Sequence, residues 1–289
     1  MREPSSSEPA AGHTPVLLGP ALELLAPRAG ETALDGTLGA GGHAAVIAER
    51  LAPGGTLVGL DLDPAQLDAA RARLAPLAAG DDLTLHLRHA SFADALDVLD
   101  ALGLDGVDVL LADLGFASTQ LAEAERGLSF SADGPLDMRL DTTAETPTAA
   151  DLVNDLPADQ LADVLYRFGE ERLSRKIARK IVETRRKAPI QTTGQLAELV
   201  RRAYGPAGRK QRIDPATRTF QALRIAVNGE LEALDALLAA LPRLLRPGGR
   251  AAIISFHSLE DRRVKHGFKQ LAEDGVGQRL TRKPLTAEA

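Results

Sequence analysis

A glycine-rich turn at residues 35–43, with the sequence DGTLGAGGH, is the first feature of the chain that could do chemistry. Four of the seven residues from Gly36 to Gly42 are glycine, which permits positive φ angles and close approach of a ligand to the backbone. A helical pattern follows, and the free N–H groups at its start favour a polar ligand. By itself this turn is typical of many nucleotide-binding proteins.

Asp61 narrows the ligand class, because it ends the next predicted strand 20 residues after Gly41. An acid at that place accepts hydrogen bonds from the two hydroxyls of a ribose. The turn lacks the Gly-x-Gly-x-x-Gly spacing of a pyrophosphate site, and no Walker lysine follows it. The two features together predict S-adenosyl-L-methionine rather than NAD or ATP. The alternative is that Asp61 only caps the helix starting at Pro64, a role that Asp63 could fill equally well.

Three further residues follow predicted strands and could contact the ligand or the reacting atoms. Asp113 could meet the cofactor's ammonium group or a substrate amine, or else serve as a turn or cap residue. Phe92 could flank an adenine ring, although a core position suits a lone Phe better. His257 is the second candidate proton acceptor after Asp113, since its pKa class suits proton transfer. Its alternative role is a cap on the helix beginning near Ser258.

The chain contains no cysteine, which excludes disulfides, thiolate zinc sites and a Cys nucleophile. Methylation of a pyrimidine ring carbon usually proceeds through a thiolate adduct, so that chemistry is excluded too. No metal-ligand spacing stands out, and we expect no metal.

Strand and helix patterns alternate over the first part of the chain, which predicts an α/β fold with a parallel, doubly wound sheet. Predicted strands cover residues 31–34, 56–61, 83–88, 107–113 and, after a turn at 247–249, 250–256. Predicted helices cover residues 42–51, 64–77, 92–102, 218–245 and 259–271. Residues 114–143 read as a loop and 148–204 as several short helices. We therefore expect a tail at 1–12 and a Rossmann-like domain made of residues 13–130 and 214–289, interrupted by a helical insertion at 131–213.

The basic residues are concentrated in one part of the chain. Residues 166–224 contain 16 Lys and Arg against 5 Asp and Glu, a local net charge of +11 in a chain whose total is −6. This asymmetry indicates a face for nucleic-acid phosphates on an acidic body, or equally an Arg-rich solvated surface. With no apolar run near the roughly 18 residues of a membrane span and no signal pattern at residues 1–12, we expect a cytoplasmic protein without a membrane partner.

Ten motifs, in order over almost the whole chain, resemble one family, the bacterial 16S ribosomal RNA cytosine-N4 methyltransferases (small-subunit methyltransferase H). They are HTPVLL at 13–18, DGT at 35–37, GGH at 41–43, DLG at 113–115, QL at 120–121, RG at 126–127, DGPLDMR at 133–139, GEE at 169–171, PATRTFQALR at 215–224 and FHSLEDR at 256–262. The combination is highly specific.

The resemblance implies a class I methyltransferase domain with a helical substrate-recognition insertion, and a cytosine-N4 product in the decoding centre of 16S rRNA in the small ribosomal subunit. It also implies cofactor contacts, at Gly41, Gly42, His43, Asp61, Phe92, Asp113 and Gln120.

Substrate contacts are expected from two further regions. Asp137 and Arg139 lie in a Gly/Pro-containing loop that we expect to cover the active site and to become ordered on RNA binding. Arg218 and Arg224 lie two turns apart on a predicted helix, where we expect contacts to RNA phosphates. A methyltransferase of proteins or small molecules, or a non-catalytic ribosome-binding factor, are the alternatives, and the oligomeric state stays open between monomer and homodimer.

The sequence departs from the family pattern at three places. Phe116-Ala117-Ser118 stands where the family usually has Val-Ser-Ser, and Asp214 stands where it usually has His. The family generally continues past residues 281–286 into a basic tail and a last strand, whereas this sequence stops at Ala289. We therefore expect either that the sequence is truncated or that the final strand is missing.

Overall fold

The computed structural model describes residues 15–80, 82–210 and 212–286. The tail predicted at residues 1–12 lies outside this part of the chain. Among the described residues, five parallel strands form one sheet in the order β3-β2-β1-β4-β5. The strands are β1 (Thr32–Asp35), β2 (Gly55–Asp61), β3 (Leu83–His89), β4 (Val107–Asp113) and β5 (Leu245–Ile254).

Helices cover both faces of the sheet and also form a separate layer. They are α1 (Leu18–Leu25), α2 (Gly42–Leu51), α3 (Pro64–Leu74), α4 (Ala95–Ala101), α5 (Ser118–Ala122), α6 (Ala149–Asp155), α7 (Ala158–Gly169), α8 (Ser174–Arg185), α9 (Thr193–Tyr204), α10 (Ala216–Asn228), α11 (Glu230–Leu244) and α12 (Ser258–Glu273). No helix in the described ranges has the length and apolar character needed to cross a lipid bilayer.

Alternate residues of each central strand enter opposite cores, because successive side chains of a strand point to opposite faces. In β1, Ala33 packs with the core beneath α1–α3, whereas Leu34 packs with the core beneath α4, α11 and α12. The order of the strands reverses direction after β1, with β2 and β4 on its two sides. The fold is therefore the doubly wound, Rossmann-like α/β fold that the alternating pattern predicts, and ligands of such folds bind at the carboxyl ends of strands beside this reversal.

The helical layer has a core of its own, whose buried side chains range from Leu128 to Leu223 and come mainly from α6–α10. Apolar residues at helical spacing on α7, α8 and α9 face this core and leave the charged residues outside. The layer draws on residues on both sides of the predicted 131–213 insertion, and the division into domains stays a prediction.

Several element boundaries differ from the sequence prediction. Gly229, with φ 57°, divides the stretch predicted as one helix into α10 and α11. Strand β5 begins at Leu245 rather than at 250 and contains a bulge, since Val107 pairs with Leu245 and Val109 pairs with Arg250. Within the predicted loop at 114–143 the chain forms α5 and a short 3₁₀ turn, Ala124–Arg126.

Candidate active site

Three carboxylates meet where neighbouring strands end at one edge of the sheet. Asp35, Asp61 and Asp113 are the last residues of β1, β2 and β4, and these strands are hydrogen-bonded neighbours in the order β2-β1-β4. The parallel register brings them together, because parallel strands present all their carboxyl ends at the same edge. The sequence placed each acid at a strand end, and the sheet makes them one cluster.

The glycine-rich turn closes over this edge through backbone hydrogen bonds. The Gly36 N–H donates to the Leu111 carbonyl, and the Leu38 N–H donates to the Leu60 carbonyl. Gly39 and Gly41 have φ angles of 50° and 79°, a region that favours glycine. A Cβ atom at Gly39 would meet nothing within 4 Å, so open space lies beside the turn at this point.

Asp61 is held by the turn rather than by the following helix. Its two carboxylate oxygens accept hydrogen bonds from the Gly39 N–H at 2.7 Å and the Asp63 N–H at 2.8 Å. The N-cap of α3 is Asp63, whose carboxylate accepts a hydrogen bond from the Ala65 N–H at 3.0 Å. Of the two roles considered for Asp61, the helix cap therefore belongs to Asp63.

Two of the three acids have strongly raised pKa values. Burial raises the pKa of Asp35 to about 7, with the nearby charges of Asp113 and Asp61 adding to the shift. Burial and the charge of Glu260 raise the pKa of Asp113 to about 7. One Asp113 oxygen, Oδ1, is buried and has no hydrogen-bond partner within the described part of the chain. A buried, unpaired acceptor costs free energy until a donor or a cation reaches it.

His43 lies beside Asp113 in its neutral form. Its Nε2 is 3.1 Å from the Val16 carbonyl, which can only accept, so Nε2 carries the proton. Its Nδ1 is 3.6 Å from Asp113 Oδ2, too far for a direct hydrogen bond. Burial lowers the pKa of His43, and a neutral imidazole therefore faces the raised-pKa carboxyl of Asp113.

The other residues expected at the cofactor lie around the same edge. The Phe92 side chain packs close under Gly36, where an added Cβ would come within 3.1 Å of Phe92 Cβ. Gly42 provides room for Pro15, since a Cβ there would lie 2.8 Å from Pro15 Cγ. Gln120 is buried, and each end of its amide has one partner: Nε2 donates to Asp63 Oδ2 at 2.7 Å, and Oε1 accepts from the Ala117 N–H at 2.8 Å.

His257 is the N-cap of α12, as its alternative role anticipated. Its Nδ1 is 3.4 Å from the Glu260 N–H, and its Nε2 lies 3.1 Å from Glu260 Oε1, off the direction of a hydrogen bond. Ligand atoms of Glu230, His257 and Glu260 come within 4.8 Å of one another, the geometry of a candidate metal site. The Arg224 guanidinium already binds both Glu230 oxygens, at 2.7 and 2.8 Å. Its positive charge balances the negative charge of Glu230 that a metal cation would need.

We expect both Arg218 and Arg224 to contact RNA phosphates, but the structure places them in different environments. Arg224 is largely buried, paired with Glu230 and stacked 4.7 Å above the Phe116 ring. Arg218 is exposed and donates to the Glu170 carbonyl at 3.2 Å.

Asp137 and Arg139 bind each other through two parallel hydrogen bonds of 2.8 Å. Arg139 also donates to the Ala144 carbonyl at 2.7 Å. These contacts all lie within the loop. Asp137 and Arg139 must therefore give up these partners before they can bind a substrate.

A buried ion pair lies beside the site, and the sequence did not predict it. Arg126 donates to the Asp63 carboxylate and, at 3.2 Å, to the Leu140 carbonyl. Asp63 also accepts from Gln120. The pair ties the start of α3 to the loop that follows β4. The motif residues Arg126-Gly127 were visible in the sequence, but no spacing rule links Arg126 to an acid 63 residues away.

This fold and this cluster of acids define a Rossmann-like protein with a candidate ligand site at the reversal point of its sheet. The family profile described as the MraW methylase family matches residues 10–288. The chain belongs to this family of methylases.

Curated relatives match most of the chain. The "Ribosomal RNA small subunit methyltransferase H" of Acidobacterium capsulatum is 50% identical over 278 residues, covering 95% of this chain and 91% of the relative. The protein of the same name from Nitratidesulfovibrio vulgaris (strain Miyazaki F) is 48% identical over 291 residues, covering 95% and 80%. Among solved structures, a "putative rRNA-methylase" from Clostridium thermocellum is 21% identical with a TM-score of 0.31, covering 36% of this chain and 54% of its own.

Proposed function

We propose that this protein transfers the methyl group of S-adenosyl-L-methionine to N4 of a cytosine in the decoding centre of 16S rRNA. The observation that carries the proposal is the buried Oδ1 of Asp113, which has no hydrogen-bond partner among the described residues, at one edge with Asp35 and Asp61 around a glycine turn. Family membership and the names of the relatives support ribosomal RNA as the substrate class.

The residues at the sheet edge fit this cofactor. Asp61 is fixed at the distance from the turn where an acid takes ribose hydroxyls, and its two oxygens, which accept from the Gly39 and Asp63 N–H groups, have further lone pairs that can accept. Open space lies beside Gly39. The carboxylates of Asp113 and Asp35 favour the positively charged methionine part. Gly41, Gly42, His43, Phe92 and Gln120 remain proposed contacts of the same site.

When bound, S-adenosyl-L-methionine supplies an electrophilic methyl group on a sulfonium. The N4 amine of cytosine is a poor nucleophile, because its lone pair is delocalised into the ring. The protein's own residues must therefore hold the amine in line and accept its proton late in the reaction. Asp113 is the proposed acceptor, since its free oxygen lies at this edge and its pKa of about 7 suits proton transfer near neutral pH.

The role that we propose for His257 differs from that of Asp113. Its cap on α12 and its contact with Glu260 hold the segment after β5 in place beside Asp113. We propose that it acts on the reaction mainly by positioning, and that Asp137, Arg139, Arg218 and Arg224 position the RNA or the loop that covers it. The target base must be unpaired or flipped out to reach the site.

An exposed basic surface on α8 supports an RNA partner. Arg175, Lys176 and Arg179 are exposed on this helix, and of its outward cations Lys180 has an acid partner, Glu183, at 2.9 Å. Phosphate contacts from such side chains supply affinity without reading the sequence.

The direct test is incubation with labelled S-adenosyl-L-methionine and unmodified 30S subunits, followed by mass mapping of the modified nucleotide. We expect label on a single cytosine as N4-methylcytosine. Label in ribosomal protein or in a metabolite, with none in 16S rRNA, would exclude the proposal. Asp61→Ala is the matched variant: calorimetry should show cofactor affinity reduced by at least about tenfold, the equivalent of one lost hydrogen bond to a charged group.

A further inference from the structure

One exposed aromatic ring stands at the same sheet edge and belongs to none of the hydrophobic cores formed by the described residues. Phe256 follows β5 and is 58% exposed. The other rings near the edge differ, since Phe92 and Phe116 are half-buried and pack against hydrophobic cores. A single exposed apolar residue is common on protein surfaces. Phe256 differs from such residues in its position at the proposed active site and in its backbone contacts.

The backbone around Phe256 is fixed on both sides. The Ile254 carbonyl accepts a hydrogen bond from the Leu114 N–H at 3.0 Å. The Phe256 N–H donates to Glu260 Oε2 at 2.9 Å, and Glu260 is buried. The ring is therefore attached to a backbone segment that is held between the sheet and α12 before any ligand arrives.

The ring lies next to the residues that follow Asp113. Asp113 pairs in register with Ile254, so Phe256 and the residues after Asp113 leave the sheet side by side. At Gly115, which has a φ of 97°, a Cβ would lie 3.6 Å from Phe256 Cδ2. An exposed apolar ring and a carboxyl with an unpaired oxygen thus stand at one edge. That pair suits a flat heteroaromatic ring carrying an amino group.

We propose that Phe256 is the stacking platform of the target base, holding the cytosine ring while Asp113 takes its N4 amine. The proposal rests on the proposed function and deepens it by naming a residue that binds the base. Every base has a π face, and aromatic stacking tolerates any base. Phe256 supplies binding and orientation, whereas the amine contact supplies discrimination between bases.

The test compares Phe256→Ala, Phe256→Leu and Phe256→Tyr with the unchanged protein. Replacing a stacking ring by alanine should lower kcat/KM on 30S subunits by about 10- to 100-fold. Tyr should retain activity within about threefold, whereas Leu, which is apolar but not aromatic, should behave like Ala. Cofactor affinity measured by calorimetry should stay unchanged in all three. Val276→Ala, an equally exposed apolar residue (57%) beyond α12, is the control and should keep full activity.

A binding measurement separates this proposal from the proposed function. A short single-stranded RNA carrying 5-(furan-2-yl)cytosine, a fluorescent analogue that keeps the free N4 amine, should be quenched on binding to the unchanged protein, and much less by Phe256→Ala or Phe256→Leu. Activity and quenching of Phe256→Leu equal to those of the unchanged protein would overturn the stacking role. Absence of quenching with the unchanged protein would overturn it too. If the unchanged protein quenches but does not methylate 16S rRNA, the proposed function fails and the base platform stands.

Discussion

The Asp113 carboxyl shows how position changes the chemistry of a single residue. In water an aspartate is ionised well below neutral pH, with a pKa near 3.9. At the end of β4, burial and the charge of Glu260 raise the pKa of Asp113 to about 7, and burial raises that of Asp35 to the same range. Both groups therefore titrate where the protein would work. A bound cation favours their ionised forms.

This linkage predicts that S-adenosyl-L-methionine binds more tightly as the pH rises from 6 to 8. Below pH 7 the two carboxyls are largely protonated, so binding of the cation must release protons and its affinity falls by up to about tenfold per pH unit for each proton. Calorimetry at pH 6.5 in phosphate and in imidazole buffers, which differ in their heats of ionisation, should give binding heats that differ in proportion to the protons released. In the Asp113→Asn variant, the number of protons released on cofactor binding should fall by about one. Equal heats in the two buffers would contradict the prediction.

At the scale of elements, the buried pair of Asp63 and Arg126 joins the start of α3 to the loop that follows β4. The guanidinium also holds the Leu140 carbonyl, and Gln120 shares the Asp63 carboxylate. The loop carries Asp137 and Arg139, and the start of α3 lies next to Asp61. This contact therefore connects the segment that holds the proposed cofactor to the segment proposed to cover the substrate.

Arg126→Met should destabilise the protein by about 3–5 kcal/mol, because it leaves the Asp63 charge buried without its cation. Urea unfolding measures the loss, and adding Asp63→Asn should recover part of it. Arg71→Met is the matched control, since Arg71 binds Asp68 at 2.7 Å in an exposed pair and should cost at most about 1 kcal/mol. A loss for Arg126→Met as small as that of the control would mean that the loop is held by other contacts.

At the scale of the whole molecule, charge is divided between two parts. Residues 166–224 have a net charge of +11 and leave −17 for the rest of the chain. In the structure this basic segment includes α8, whose apolar residues Ile177 and Ile181 face the helical core, so its cations point outward. Such an arrangement attracts a polyanion to one side of the protein and repels it from the other.

The triple variant Arg175→Gln, Lys176→Gln, Arg179→Gln should weaken RNA binding and reduce its salt dependence. Each lost phosphate contact lowers the slope of log affinity against log salt by about 0.7 to 0.9, so the slope should fall by about 2 to 3. Filter binding from 50 to 300 mM KCl measures it. The control changes Arg243, Lys265 and Lys269, exposed cations on α11 and α12. An equal fall in slope for both variants would show that the attraction is not localised on α8.

Much of the site and fold was determined by the sequence alone. Hydrophobic periodicity and the glycine turn predicted the parallel α/β sheet, and strand ends that carry Asp35, Asp61 and Asp113 predicted a ligand edge, because both signals are local in the chain. Tertiary structure alone decided which polar groups have partners. Asp63 rather than Asp61 caps α3, Arg224 is neutralised by Glu230, and Arg126 finds Asp63. The pairing of Arg126 with Asp63 joins residues 63 positions apart that only packing brings together, and burial at the sheet edge raises the pKa values of Asp35 and Asp113.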